Sequence, residues 1–311
     1  MARILIAVDG SPASQRALEF GASLAAKLNL GVTLLHVVAP VVLPMGGGGP
    51  ETFAELQRAL QAEATQLLAG LADKARAYGV AVATEQALGE PAVAIHARSE
   101  APDIHLVVMG SRGQGAVARL LLGSVATQVV HTATCPVVVV RDEPLSAGVR
   151  RMVVAVDSTP VAREAARVGL ELAERMGARM TLAHVLPHSV GHGETADFAA
   201  FERACEDYAS GLLAELHLLT GRGGPSTDLA VLHGEPAEAL SKAASAPDVD
   251  LVIVGTRARG ALARTLLGSV ADTLLRTCPK PVMVVPEGPR RVRVREERSE
   301  AELSDALVTP V

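Results

Sequence analysis

Glycines, an arginine and a serine recur at fixed spacing after an apolar run of strand length, residues 106–109. Gly110 follows that run, Gly113 comes three positions later, and Gly123 with Ser124 follows after nine intervening residues. Glycine permits backbone conformations that other residues resist, so such a loop can turn several N–H groups toward an anion. The Gly-Ser pair before a helical segment adds a hydroxyl and a helix N-terminus, which both favour phosphate. The spacing predicts a phosphate-binding loop.

The same pattern occurs again 145 positions later. Residues 248–271 match residues 103–126 at 15 of 24 positions, too many for shared helix or strand propensity. Ala258 stands where the first copy has Gly113. If that position needs a positive φ, alanine costs about 1–2 kcal/mol there, and its methyl group crowds a close backbone approach in either case. The repeat indicates a duplicated module.

Each copy alternates strand-like and helix-like segments in the order β-α-β-α-β-α-β-α-β. The strand-like runs, such as residues 3–8 and 136–140, are apolar without alternation, which is typical of parallel strands covered on both faces. Right-handed crossovers fold this order into an open, doubly wound parallel sheet. The sequence therefore predicts an α/β protein made of two repeated five-stranded sheets.

Composition excludes several classes of function. A net charge of −5 and 2% aromatic residues argue against nucleic-acid binding, which needs a basic face and stacking surfaces. No apolar run reaches membrane-spanning length, and the first residues lead straight into a strand, so we expect neither a membrane anchor nor a signal peptide. Three scattered cysteines fit a reducing compartment, and we expect a cytoplasmic protein. None of the four lysines stands in a Gly-Lys-Ser/Thr loop, which excludes a Walker-type NTPase.

Four shorter motifs accompany the loop. They are Ile-Ala-Val-Asp9-Gly-Ser after the first strand, Leu-Leu-His36-Val on the second, Gly-Glu-Pro91 before the third helix, and Cys135-Pro-Val before the last strand. Together with the loop they resemble the universal stress protein family in its tandem two-domain form, over nearly the whole chain to about Pro286. The resemblance implies sheets of the adenine nucleotide alpha hydrolase-like type. It also implies ATP at the carboxyl ends of the first, second and fourth strands.

Carried over residue by residue, the resemblance implies two adenine-nucleotide sites. An aspartate would lie beside ribose and adenine, a valine backbone would meet the adenine edge, and the loop would hold the phosphates. The predicted first site comprises Asp9, Val37, Met109, Gly110, Arg112, Gly113, Gly123, Ser124 and Val125. The predicted second, weaker site comprises Asp157, Val185, Val254, Gly255, Arg257, Ala258, Gly268, Ser269 and Val270. We expect ATP with Mg²⁺ bound to the nucleotide, no metal held by side chains alone, and no catalytic residue.

The duplication also sets expectations for architecture. We expect one domain at residues 1–146, a second at 147–286, and a polar C-terminal tail at 287–311, with strand order 3-2-1-4-5 and a separate core in each domain. The halves should pair as two subunits do in single-domain relatives, through residues 137–140 and 282–285. The expected partners are an adenine nucleotide and a second copy of the chain in a homodimer, with no nucleic acid and no membrane.

Three functions remain open from sequence alone. A nucleotide-dependent regulatory protein in the stress response needs only the binding loop, and any hydrolysis would be weak and incidental because no nucleophile–base pair accompanies it. A module that keeps the fold for dimerisation would explain Ala258 but not the intact first motif. An enzyme that adenylates its substrate would need a second polar pocket. Asp9 and Asp157 could also be simple turn formers ahead of Ser-Pro and Thr-Pro.

Other chemically active side chains have simpler structural explanations. His36 and His184 lie on apolar strands, and we expect them to be core histidines with satisfied hydrogen bonds. His188 and His192 have a spacing that could chelate a metal, but no helix or carboxylate supports them. Cys135 and its repeat counterpart are expected to be buried structural thiols, because no nearby cation lowers their pKa.

Overall fold

The structure, a computed structural model, describes residues 1–40, 50–113, 122–141, 148–187, 196–218, 225–256 and 267–288. Strands and helices alternate along both halves of this part of the chain. The first half contains β1 (Arg3–Ala7), α1 (Pro12–Leu28), β2 (Gly31–Val38), α2 (Pro50–Arg76), β3 (Val82–Leu88), α3 (Pro91–Ser99), β4 (Ile104–Gly110), α4 (Ser124–Thr132) and β5 (Val137–Val140). The second half contains β6 (Arg151–Ala155), α5 (Pro160–Met176), β7 (Arg179–Leu186), α6 (Ala196–Leu218), β8 (Thr227–His233), α7 (Pro236–Ala244), β9 (Leu251–Gly255), α8 (Ser269–Thr277) and β10 (Val282–Val285).

All ten strands form one sheet in the order β3-β2-β1-β4-β5-β10-β9-β6-β7-β8. Neighbouring strands within each half are parallel, and each half has the predicted order 3-2-1-4-5. In the middle of the sheet β5 and β10 are antiparallel, with Val138 opposite Met283. The predicted pairing through residues 137–140 and 282–285 is confirmed. A palindromic strand order around an antiparallel pair relates the halves by a pseudo-twofold axis.

The halves do not keep separate cores, which corrects the expectation from sequence. One hydrophobic core lies between the sheet and α1, α2, α5 and α6, the other between the sheet and α3, α4, α7 and α8, and each contains residues of both halves. The helices α1 and α5 also contact one another across the junction. An edge strand leaves backbone N–H and C=O groups unpaired. Pairing the short apolar strands β5 and β10 supplies hydrogen-bond partners to these groups on both strands. The boundaries at residues 146 and 286 and the polar tail stay predictions.

The turn that follows the first strand of each half is fixed by a helix cap. Ser11 precedes α1, and its Oγ accepts a hydrogen bond from the N–H of Ser14 at 3.2 Å. Thr159 caps α5 in the same way through the N–H of Ala162, at 3.3 Å. Proline occupies the first helical position in both copies, where its missing N–H costs nothing. The cap at Ser11 holds the turn that carries Asp9.

Candidate functional site

The strand order creates a crevice between β1 and β4. The crossover from β1 leads to β2 on one side, whereas β4 lies on the other, so the connections diverge at the carboxyl ends of these two strands. Open α/β sheets bind ligands at such a point. Asp9 follows β1 and Gly110 ends β4, which brings the two motifs to the same edge of the sheet.

A cavity of about 460 Å³ occupies this crevice. It lies within the range of roughly 300–1,000 Å³ that is typical of small-molecule sites. Every residue predicted for the first site lines it: Asp9, Val37, Met109, Gly110, Arg112, Gly113, Gly123, Ser124 and Val125. The structure therefore brings together residues from three strand ends and one helix N-terminus that are up to 116 positions apart, from Asp9 to Val125.

One end of the cavity is apolar. Val37 is joined there by Leu35, Pro91, Ile95 and Met109. Sequence reasoning missed Leu35 and Ile95 as lining residues, because each reads as an ordinary core position in its own strand or helix. Pro91 was visible only as part of the Gly-Glu-Pro motif that starts α3. A flat aromatic ligand group fits an apolar slot of this kind, and the backbone at the end of β2 supplies polar edges beside it.

The other end of the cavity is built from backbone. Gly123 precedes α4 with φ of −66° and ψ of 151°, and its N–H donates to the carbonyl of Ser111 at 2.8 Å. No described side chain caps α4, so the N–H groups of its first turn have no acceptor among the described side chains. Residues 123–126 line the cavity at this helix N-terminus. This end of the cavity suits an anion, as the loop spacing predicts.

Close packing explains two of the loop glycines. A Cβ added to Gly110 would lie 2.8 Å from the Cβ of Ala13, and one added to Gly113 would lie 2.6 Å from Oδ2 of Asp9. Gly113 does not have a positive φ, so its backbone conformation does not require glycine, and the atom nearest to an added Cβ is a carboxylate oxygen of Asp9. Asp9 passes directly over Gly113, and a methyl group there would displace the carboxylate.

The Asp9 turn and the phosphate loop are tied together by hydrogen bonds. Oδ1 of Asp9 accepts from the N–H of Ser11 at 2.9 Å, and the hydroxyl of Ser11 donates to the carbonyl of Arg112 at 3.3 Å. The N–H of Asp9 donates to Oγ of Ser14, at 3.4 Å, and Ser14 also lines the cavity. Asp9 forms a turn, as the simpler explanation requires, and it lines the cavity as well.

The second half contains a related but smaller cavity, of about 230 Å³. Its lining includes these predicted residues: Asp157, Val185, Val254, Gly255, Gly268 and Val270. Ser269 begins α8 but is not among the lining residues. Arg257 and Ala258, also predicted for this site, lie outside the described residues.

Two of the histidines and two of the cysteines singled out in the sequence lie among the described residues that contact backbone or core. Nδ1 of His36 lies 2.7 Å from the carbonyl of Val8, and Nδ1 of His184 lies 2.8 Å from that of Val156. Each has the predicted backbone partner, but both side chains are half-buried and outside the core, and His184 lines the second cavity. The cysteines before the last strand of each half are fully buried, and burial raises the pKa of the Cys278 thiol. His188 and His192 lie outside the described residues.

Two absences concern only the described residues. No helix among them is long and apolar enough to cross a membrane. Nor do three or more His, Cys, Asp or Glu side chains within the described ranges come together in a group that could hold a metal ion.

The fold and the cavity define a duplicated, doubly wound α/β protein with a glycine-rich loop at the carboxyl edge of the sheet. A family model described as "Universal stress protein family" matches residues 1–141 and 148–286. A universal stress protein of Mycolicibacterium smegmatis is 32% identical over 293 residues, covering 91% of this chain and 96% of that protein. Universal stress protein Rv2005c of Mycobacterium tuberculosis is 33% identical over 299 residues, covering 90% of this chain and 96% of that protein.

Solved structures agree on the fold. The crystal structure of a universal stress protein from Archaeoglobus fulgidus aligns with a TM-score of 0.67 at 22% identity, covering 92% of this chain and 98% of that one. The chain belongs to the universal stress protein family, in its tandem form.

Proposed function

We propose that the chain is a regulatory protein of the stress response that binds ATP in the first cavity. One observation carries the proposal: all nine residues of the predicted first site line a single cavity of about 460 Å³. An apolar slot at one end suits adenine, and the glycine-rich backbone with an uncapped helix at the other suits phosphates. ATP occupancy would then set the conformation or assembly through which the protein signals.

Each part of the nucleotide has a partner in this proposal. Val37, at the end of β2, meets the adenine edge through its backbone, and Asp9 accepts from the ribose hydroxyls. Gly110, Gly113 and Gly123 let the backbone approach the phosphates, and the hydroxyl of Ser124 donates to them. Arg112 is the cationic side chain among the described residues that line the cavity, so a Mg²⁺ ion on the nucleotide would neutralise the remaining phosphate charge.

The lining supports binding rather than catalysis. Among the described residues of the first cavity, Asp9 is the acidic side chain, and its Oδ1 already accepts from the N–H of Ser11. The hydroxyl of Ser14 donates to the carbonyl of Ser11 at 3.0 Å. A hydrolase or adenylating enzyme needs a nucleophile next to a base, or a second substrate pocket with polar groups of its own. We therefore propose a protein with at most weak, incidental ATPase activity.

The alternative function as a dimerisation module draws on the β5–β10 pair. These strands already pair with one another inside the chain. A homodimer of the whole chain stays a proposal, and it would have to use another surface. The three cysteines are free, which agrees with the cytoplasmic location that we also propose.

The experiment is a comparison of ATP with adenosine. Protein purified without added nucleotide is denatured and its released ATP counted per chain; nucleotide-free protein is then titrated with both ligands. We expect Arg112→Gln to weaken ATP binding by roughly tenfold and adenosine binding little, because the guanidinium acts on phosphate. Arg76→Gln is the matched control, since Arg76 pairs with Asp73 on the exposed surface of α2.

Failure of the unaltered chain to bind ATP at millimolar concentration would overturn the proposal. Accumulation of pyrophosphate with a candidate acid substrate would favour the adenylating enzyme instead. An equal loss of ATP affinity in Arg112→Gln and Arg76→Gln would show that the cavity is not the phosphate site.

A further inference from the structure

The wall of the first cavity contains a hydroxyl group that no motif in the sequence marks. Ser14 stands in the first turn of α1, is 3% exposed, and lines the cavity. Its Oγ lies 3.4 Å from the backbone nitrogen of Asp9. A Cβ added to Gly110 would lie 2.9 Å from the backbone nitrogen of Ser14. Ser14 therefore lies where the turn that carries Asp9 meets the start of the phosphate loop.

The hydrogen bonds of Ser14 determine what its hydroxyl can offer to a ligand. A serine hydroxyl has one proton to donate and two lone pairs that accept. Ser14 donates its proton to the carbonyl of Ser11 at 3.0 Å, and its Oγ accepts from the N–H of Asp9. The second lone pair has no donor among the described residues, and no proton is left to give. Ser14 thus presents a hydrogen-bond acceptor to the cavity.

An acceptor at this place selects the kind of ligand group that can lie against it. Phosphate oxygens are themselves acceptors, so they gain nothing from Ser14. The carboxylate of Asp9, which also lines the cavity, is an acceptor as well. Two neighbouring acceptors suit a ligand with two neighbouring donors, and the two hydroxyl groups of a ribose are such a pair.

The second half shows that this turn does not need a serine. Ala162 occupies the equivalent position and lines the second cavity, and α5 begins after its Thr159 cap just as α1 begins after Ser11. There the hydroxyl of Thr159 donates to Oδ1 of Asp157, at 2.5 Å. Since alanine is compatible with the same helix start, the hydroxyl of Ser14 is a property of the first cavity and not a requirement of the fold.

We propose that Ser14 is a further ligand-binding residue of the first site, and that it accepts a hydrogen bond from one ribose hydroxyl. Together with Asp9 it would make the site selective for ribonucleotides over deoxyribonucleotides. A ligand without that hydroxyl leaves the buried Oγ of Ser14 one donor short, and a site built to bind a hydroxyl discriminates against such a ligand. The proposal rests on the proposed function, because it takes the ligand to be an adenine nucleotide whose ribose lies beside Asp9.

The test is calorimetric titration of the full chain and of Ser14→Ala with ATP, 2′-deoxy-ATP and 3′-deoxy-ATP. We expect both analogues to bind the unaltered chain more weakly than ATP, by roughly threefold to tenfold. Ser14→Ala should weaken ATP binding by a similar factor. It should leave the affinity for one analogue unchanged, because that analogue lacks the hydroxyl from which Ser14 accepts. Any binding in the second half is common to both proteins.

Ser99→Ala is the matched control. The hydroxyl of Ser99 is also buried in a helix and donates to the carbonyl three residues earlier, that of His96, at 2.6 Å, but Ser99 does not line the cavity. We expect Ser99→Ala to leave all three affinities unchanged. Urea unfolding of both variants compares their stability with that of the unaltered chain.

Each outcome decides between the two claims. Equal affinity of the unaltered chain for ATP and both analogues would overturn the inference and leave the proposed function standing. A loss in Ser14→Ala that is the same for all three ligands would show that Ser14 supports the turn without contacting the ribose. Unchanged affinity for all three ligands would also overturn the inference. No ATP bound to the unaltered chain would overturn the proposed function and the inference with it.

Discussion

At the scale of single residues, the close approach between Gly113 and Asp9 sets a requirement on the phosphate loop. Because a Cβ at Gly113 would lie 2.6 Å from Oδ2 of Asp9, we expect Gly113→Ala to displace the carboxylate and weaken ATP binding by roughly tenfold, measured by titration calorimetry. Gly70→Ala is the matched control, since nothing lies within 4 Å of a Cβ added on that helix. Unchanged affinity in Gly113→Ala would contradict the role given to Asp9.

The equivalent substitution in the second half makes a comparative prediction. Ala258 lies outside the described residues, and we expect Ala258→Gly to strengthen nucleotide binding there, from the sequence argument alone. Titration of Ala258→Gly and of the unaltered chain with ATP checks this, and unchanged affinity would contradict it.

At the scale of elements, an ion-pair network joins α3 to β3 and to the start of β4. Arg98 donates to Glu85 at 2.7 and 3.1 Å and to both carboxylate oxygens of Asp103 at 3.0 Å. Hydrogen bonds from this guanidinium lower the pKa of Asp103. The side chains of Arg98, Glu85 and Asp103 are all partly exposed, so solvent screening limits the contribution of this network to folding stability to about 0.5–1 kcal/mol.

The pH dependence of this network follows from the depressed pKa. A carboxylate with a lowered pKa in the folded state adds stability above its unfolded pKa of about 3.9, and that stability is lost as pH falls through the folded value. We expect Asp103→Asn to lower the free energy of unfolding near pH 7 by about that amount, and the difference to shrink as pH falls below the unfolded pKa of about 3.9. Urea unfolding across this range measures it. Asp73→Asn, at an exposed ion pair, should show a smaller effect.

A second contact between elements crosses from one half to the other. Nη1 of Arg141, after β5, donates to the carbonyl of Arg276 near the C-terminal end of α8. A cation at a helix C-terminus is worth about 0.3–1 kcal/mol. We expect Arg141→Gln to lower the urea midpoint of unfolding more than Arg76→Gln does. If both variants unfold at the same midpoint, Arg141 does not contribute to holding the halves together.

At the scale of the whole molecule, the strands of the two halves run in opposite directions because β5 and β10 are antiparallel. The two cavities, each at the carboxyl ends of its own strands, therefore lie on opposite sides of the sheet along the strand direction. The described lining residues of the two cavities include no lysine, so neither cavity combines a lysine with a nucleophile next to a base, which are the groups that an efficient ATPase would use. We expect ATP turnover far below the usual enzyme range of roughly 1–10³ s⁻¹.

We also expect excess chelator to weaken ATP binding, because Mg²⁺ supplies positive charge that the cavity lacks. Phosphate release within that range, or equal affinity with chelator, would contradict these expectations.

The sequence by itself determined the elements and most of the first site. Apolar runs without alternation gave the parallel strands, and the repeat gave the duplication. The spacing from Gly110 to Ser124, together with the family resemblance, gave nine residues that line one cavity. These features could be predicted because the signal lies within a few consecutive residues, or repeats along the chain.

Only the tertiary structure decided how distant parts of the chain meet. The single sheet with cores shared by both halves depends on two edges, β5 and β10, that are complementary only once each half has folded. A side chain added at Gly113 would meet the carboxylate of a residue 104 positions earlier. Val161 reads as an ordinary helix residue until it is placed against Gly255. Such contacts join residues that no local pattern relates, so geometry alone reveals them.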